Sequence, residues 1–290
     1  MKIGIGLPAA VPDVETATLV PWAQQAEAHG FDALGVIDRV VYANHEPLMA
    51  LAAAAAVTER IELVTDVLIG PIRTTALLAK QAATLDRLAG GRLTLGLGLG
   101  GRADDFTASG MLVDGRGKRL DHQLGHLREL WSGDRIGPAP ARPGGPPLLV
   151  AGYVPRAIER AARLADGWSM GVGTIEQFRE GQAILREAWA IHRRHGQPRT
   201  LTMAYFALGP RGRAASEHDL QHYYGWLGRE TATSIAAGAL TDAAAVVDWL
   251  SAYAEAGAQE VLLMPCSPEL AQIDHLAEAL SHWRALHAVA

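Results

Sequence analysis

Eight short apolar runs recur along the 290-residue chain, and after each comes a longer segment whose apolar residues fall at helical spacing. The runs are Lys2–Leu7, Ala33–Ile37, Ile61–Ile69, Leu93–Leu97, Leu148–Ala151, Gly167–Met170, Leu201–Leu208 and Glu260–Met264. They lack the alternation of a sheet with one wet face, so each reads as a strand covered on both sides. Helices are predicted near residues 14–29, 47–59, 75–89, 118–132, 155–165, 175–195, 242–256 and 270–287. Gly30 and Gly90-Gly91 supply left-handed stops after the first and third of them.

Strand-helix units repeated in this way predict an α/β fold, a single (β/α)8 TIM barrel over residues 1–290 with its active-site loops at the strand C-termini. An open doubly wound sheet is the structural alternative, because sequence does not show closure. A sheet of that kind at this length usually splits into two domains, and no interdomain linker is visible. Two connections, Gly98–Gly117 and Gly209–Thr231, read as long loops after strand ends, where a barrel keeps lids and substrate contacts. Tyr223, Tyr224 and Trp226 in the second suggest an aromatic-lined mouth.

Charge narrows the partners. The chain carries 26 Lys+Arg against 31 Asp+Glu, a net −5, with no block of like charge, so neither nucleic acid nor a membrane surface is expected. The lone Cys266 permits no intramolecular disulfide, and no signal peptide or membrane-length apolar stretch is visible. The expectation is a cytoplasmic protein. The Ala-rich second and third helices would allow the close approach of a homodimer.

Three segments carry candidate chemistry. In Gly90-Gly91-Arg92-Leu93-Thr94-Leu95-Gly96-Leu97-Gly98-Leu99-Gly100-Gly101-Arg102, glycines weaken a strand, which needs a reason. For Gly96 the reason is a tapering barrel interior; for Gly98, Gly100 and Gly101 it is close approach of a flat ligand. The superficial dinucleotide fingerprint there is set aside because the next predicted helix begins only near Lys118. The second segment, Leu148–Ala157, is a strand that turns at Gly152-Tyr153-Val154 into a helix opened by Pro155. Free N–H groups at that helix start could receive a phosphate, with an ordinary βα turn as the equal alternative. The third is a cluster at strand ends: Asp38-Arg39, Asp66 inside an apolar run, and Arg73. A carboxylate placed as Asp66 is costs free energy unless it is paired, which makes it a functional candidate or half of a structural Asp–Arg pair.

Metal and nucleophile chemistry find little support. The pairs His122/His126 and His218/His222 lack the helical His-Glu-x-x-His pattern, no metal site is expected, and there is no Gly-x-Ser-x-Gly elbow.

Taken in order, several stretches give the chain a family likeness: Gly30-Phe31-Asp32, Leu51–Leu63, Ala79–Arg92, Leu95–Phe106, Leu127–Trp131, Pro146–Gly152, and Arg163–Trp168 with its Ala-Asp-Gly-Trp. From Met1 to about Trp283 the chain resembles the bacterial luciferase-like superfamily of flavin- and deazaflavin-dependent oxidoreductases. The resemblance implies a barrel that holds an isoalloxazine-type ring, of FMN or F420, at the strand C-termini. It places the cofactor phosphate at Gly152, Tyr153, Val154 and Pro155, and a non-prolyl cis peptide between Asp66 and Val67 beneath the ring. Two departures stand out. Gly101-Arg102 replaces the acidic residue that some deazaflavin members use as a proton donor. Leu99 occupies the position of the arginine that luciferases bring to the flavin phosphate, and Arg102 is a nearby substitute.

On this reading the leading expectation is a monooxygenase that uses reduced FMN and oxygen on a small organic substrate, with a separate flavin reductase as supplier. F420-dependent hydride transfer on the same fold is the alternative. Asp38, Arg39, His45 and Arg102 are the candidates for substrate protonation or orientation. Readings from other classes are a non-catalytic partner subunit and, by fold analogy alone, a phosphosugar isomerase.

Overall fold

The computed structural model describes residues 1–12 and 14–287. Eight parallel strands close into a barrel in sequence order, β1 (Lys2–Gly6), β2 (Ala33–Val36), β3 (Glu62–Ile69), β4 (Leu93–Gly98), β5 (Leu148–Ala151), β6 (Gly167–Ser169), β7 (Arg199–Phe206) and β8 (Glu260–Pro265). Lys2–Ile5 of β1 pair with Glu260–Leu263 of β8, which closes the ring and excludes the open sheet. All eight predicted strands are present.

The helices are α1 (Leu19–Ala28), α2 (Pro47–Ala55), α3 (Thr75–Leu88), α4 (Ala103–Ala108), α5 (Arg116–Ser132), α6 (Pro155–Leu164), α7 (Ile175–Ile191), α8 (Gly212–Tyr224), α9 (Arg229–Ala237), α10 (Ala243–Glu255) and α11 (Ala271–His287). Three of these correct the sequence-based expectation. The stretch 98–117 contains α4, and 209–231 contains α8, a 3-10 turn and the start of α9. Their short, polar faces hide the helical period. The reason given for setting aside the dinucleotide fingerprint also fails, since α4 starts two residues after Gly101. Asp104 and Asp105 in its first turn still disfavour a pyrophosphate at that helix end.

Local chemistry explains the frame. Glu46 caps α2 by accepting from Met49 N at 2.8 Å, a Thr174/Gln177 capping box opens α7, and Asp242 caps α10. Inside the barrel Leu262 fills the centre, and β1 and β2 make room for it with glycine. A Cβ on Gly4 would lie 2.5 Å from Leu262 Cδ2, and one on Gly35 2.9 Å from Leu262 Cδ1. Outside, Trp22, Trp168, Phe178 and Tyr253 are buried between sheet and helices.

Charge closes the N-terminal floor. Arg199 donates to both Glu260 oxygens at 2.7 and 2.6 Å, to Glu62 Oε1 at 3.0 Å and to Thr94 Oγ1 at 2.9 Å; Thr94 in turn bonds Glu62. Burial alone would push Glu62 up, but Arg199, Thr94 and Lys2 together hold its carboxyl below the usual range.

Candidate active site

A cavity of about 420 Å³ opens at the C-terminal end of the strands, between the exits of β3, β4, β5 and β6 and the aromatic cap formed by α8 and the turn after it. Its shape begins with a bulge in β3. The ladder to β4 shifts register between Thr65 and Leu68, and the intervening Asp66–Val67 peptide is cis, as the family resemblance implies. The Thr65 hydroxyl bridges the gap, donating to Gly96 O at 2.9 Å and accepting from Gly96 N at 2.8 Å.

The bulge explains the glycines opposite it. A Cβ on Gly96 would stand 2.1 Å from Thr65 O, one on Gly98 2.7 Å from Val67 Cγ2, and one on Gly100 2.6 Å from Ile69 Cγ2. Gly101 would meet the Trp226 ring at 2.8 Å, and Gly100 also has φ of +71°. Packing against protein thus accounts for each glycine, where the sequence alone suggests close approach of a flat ligand as the reason for Gly98, Gly100 and Gly101. Gly98, Gly100 and Gly101 still line the cavity, because their bare backbone lets neighbouring side chains shape it.

Asp66 lies on the cavity wall and is 5% exposed. Its Oδ1 accepts from Ser169 Oγ at 2.6 Å, while Oδ2 has no partner among the described residues. Burial pushes the carboxyl up to about 6, against the opposing Ser169 bond. Asp38 also lines the cavity, but it takes the structural alternative. Its Oδ2 accepts from Ile69 N and from Arg73 Nη2, both at 2.9 Å, so the pair fastens the end of β2 to the exit of β3.

The other strand-end candidates separate. Arg102 lines the cavity and donates to Tyr223 O at 2.9 Å, with its guanidinium 4.6 Å from the Tyr223 ring centroid and 4.9 Å from that of Trp226. It points to the α8 cap. Arg39 stacks on Tyr42 at 4.6 Å behind that cap and reaches Asp104 at 3.4 Å; it is not part of the cavity wall. His45 is displaced altogether. Its main-chain N–H bonds Ala9 O and its ring pairs with Thr16 Oγ1 at 2.9 Å, fixing the β2–α2 loop outside the cleft.

At the start of α6 the phosphate assignment needs revision. Gly152 N–H donates to Ser169 O at 3.2 Å, and Pro155 has none to give. Among the described residues the N–H groups of Tyr153, Val154 and Arg156 find no acceptor, and no side chain caps this helix. Gly152 serves by its lack of a Cβ, which would lie 2.4 Å from the Ala157 Cβ. Tyr153 and Val154 are exposed at the cavity edge, and the Tyr153 hydroxyl donates to Val172 O at 3.0 Å.

Sequence reasoning missed Ser169, Tyr205 and Asp219. Tyr205 pairs its hydroxyl with Tyr224 at 2.9 Å on the cavity wall. Asp219, pushed up to about 7 by burial, lies with Ser216 against the buried Cys266. A polar residue ending an apolar run, Ser169 or Tyr205, was the available signal. Asp219 gave none, because α8 was read as a loop. Among the described residues, no helix is long and apolar enough to cross a membrane.

Comparison with known proteins agrees with this geometry. The profile of the luciferase-like monooxygenase family matches residues 1–264. An uncharacterized protein of Mycobacterium tuberculosis is 33% identical over 195 residues, 55% of this chain and 67% of that protein. The F420-dependent glucose-6-phosphate dehydrogenase of Mycobacterium avium is 30% identical over 220 residues, 67% of this chain and 65% of the relative. That of Beutenbergia cavernae is 32% identical over 185 residues, 57% of this chain and 55% of the relative. The matched stretches thus span about half to two thirds of these relatives' length. In fold, a monooxygenase from Streptomyces bottropensis superposes with a TM-score of 0.77 at 21% identity, covering 98% of this chain and 100% of that one. An F420-dependent secondary alcohol dehydrogenase superposes at 0.80 and 18% identity with the same coverage. The chain belongs to the luciferase-like monooxygenase family of oxidoreductases.

Proposed function

We propose that this chain is an oxidoreductase that takes an isoalloxazine-type cofactor into the mouth cleft and exchanges hydride between F420 and a small organic substrate. The observation that carries the cofactor reading is one continuous cleft, running from the β3 bulge to an uncapped helix start with three unused N–H groups. A largely apolar cleft with free N–H groups at its edge fits a ring joined to a phosphate.

When bound, such a cofactor supplies the two-electron chemistry. The chain's residues do the rest. Val67 and the bare exit of β4 form the wall for the ring, and the N–H groups of Tyr153, Val154 and Arg156 would hold the phosphate. Asp66, its carboxyl pushed up to about 6 by burial, titrates closer to neutral pH than an ordinary carboxylate, which suits it to exchange the proton that accompanies hydride transfer. Tyr223, Tyr224 and Trp226 cover the opening and limit water.

F420 is favoured over FMN because two relatives with a named activity, those of Mycobacterium avium and Beutenbergia cavernae, are F420-dependent. The second reading, oxygenation with reduced FMN supplied by a separate reductase, is favoured by the family profile. Fluorescence titration of purified protein with F420 and with FMN decides between them. Preferential tight binding of F420 supports hydride transfer, preferential binding of FMN moves the assignment to oxygenation, and binding of neither overturns both.

A further inference from the structure

Arg102 is the one arginine on the cavity wall, and its treatment there is unusual. It is 8% exposed, Nε has no partner, and its only hydrogen bond among the described residues is the one to Tyr223 O. No carboxylate pairs with it among the described residues, and the acidic groups of the neighbouring loops bond other partners. Asp104 pairs with Arg39, Asp105 Oδ1 accepts from Val40 N at 2.9 Å and Val41 N at 2.8 Å, and Asp38 holds Arg73. Arg39 adds a second guanidinium 5.6 Å from the Tyr223 ring centroid. A buried cation without a carboxylate costs free energy, which the two aromatic faces and one carbonyl offset only in part. Among the described residues Nε and Nη1 of this guanidinium find no acceptor, and the residue lines the cavity.

We propose that Arg102 is a specificity-determining residue, and that the substrate of this site carries an anionic oxygen, a carboxylate, that this guanidinium receives. The inference rests on the reading of the cleft as a redox site for where the substrate lies, but not for the anion subsite itself. A guanidinium fork recognises a carboxylate through two parallel N–H bonds, and the aromatic rings hold the Arg102 fork in place. An anion at this point could also be the cofactor's own phosphate, so the test includes an arm for that source.

The probes are benzoate and its neutral isostere benzamide, titrated calorimetrically against the protein alone and against protein saturated with FMN or F420. Benzoate should bind at least about tenfold more tightly than benzamide, the size of one charge-assisted contact. Arg102→Met should abolish that preference while leaving benzamide binding in place. Trp226→Leu, at a half-exposed position, removes one of the rings that hold the fork and should reduce the preference; it serves if Arg102→Met does not fold. Equal binding of the two probes by the wild-type protein overturns the proposal, as does a preference that survives Arg102→Met. A loss of affinity for FMN but not for riboflavin in Arg102→Met assigns the residue to the cofactor phosphate and also overturns it. Failure of FMN and F420 to bind, with the benzoate preference intact in the protein alone, refutes the redox reading and leaves the anion subsite standing.

Discussion

Arg199 at the floor of the barrel and Arg102 at its mouth are both largely buried guanidiniums, yet their surroundings differ. Arg199 uses Nε, Nη1 and Nη2 on two glutamates and a threonine, and none of these side chains has an unpartnered buried atom. At the mouth end, by contrast, Arg102 Nε, Arg39 Nε, Asp38 Oδ1, Asp66 Oδ2, Asp105 Oδ2 and Asp219 Oδ1 have no partner among the described residues. The two ends are built on the same strands. Closed polar networks mark the end that holds the barrel together, and spare hydrogen-bonding capacity marks the end that binds and reacts.

The comparison breaks most visibly at the floor. Arg199→Met leaves Glu260 without a counter-charge and Glu62 with Lys2 alone, and should cost about 3–5 kcal/mol, read as a lower urea midpoint. Cofactor affinity of the folded fraction should stay unchanged. A variant of unaltered stability would show that the floor network is ornamental.

The two ends also differ in the sign of their pH dependence. The folded carboxyl of Asp66 lies at about 6 against 3.8 in an open chain, so the native state favours the protonated form. Its contribution is best below 3.8 and worsens as pH rises through about 6. Asp66→Asn should therefore stabilise the apo protein at pH 8 by about 3 kcal/mol and have no such benefit at pH 4. Glu62, held below its usual range, runs the other way: its stabilisation is present above the open-chain value of 4.5 and is lost on further acidification. Urea melts of Asp66→Asn and Glu62→Gln at both pH values test the pair, and equal pH slopes for the two variants would contradict it.

Smaller effects sharpen the mouth. In Gly98→Val the new Cβ starts 2.7 Å from Val67 Cγ2, so the side chains must part into the cleft. Cofactor affinity should fall by more than about tenfold, with a stability loss of only about 1–3 kcal/mol. Arg156→Ala, at an exposed site in the first turn of α6, should weaken phosphate-bearing cofactors by about threefold at low salt and less at high salt.

Much of this arrangement was legible in the residues. Strands buried on both faces announce themselves as apolar runs, and Pro155 after Gly152 marked the helix start that carries the anion site. Asp66 stood out because a carboxylate inside an apolar run needs a reason. Long-range pairing is where the reading stopped. In sequence His45 is a titratable group on a strand-end loop, and only the fold shows it tied to Thr16, 29 residues away. Arg102 was flagged, but its aromatic cap belongs to α8 and the turn beyond, more than a hundred residues later. Asp219 and the helix that carries it were hidden because α8 is polar and lacks a side-chain N-cap.

The central claim is that the mouth cleft, ending at the α6 helix start, is a site for a ring that bears a phosphate. It is tested most directly by comparing the dissociation constants of FMN and F420 with those of riboflavin and the phosphate-free deazaflavin chromophore. The account predicts that at least one phosphate-bearing cofactor binds about tenfold or more tightly than its phosphate-free partner, and that Val154→Pro, which removes one of the unused N–H groups, narrows the gap. Equal binding of the paired ligands, or a gap untouched by Val154→Pro, would contradict it.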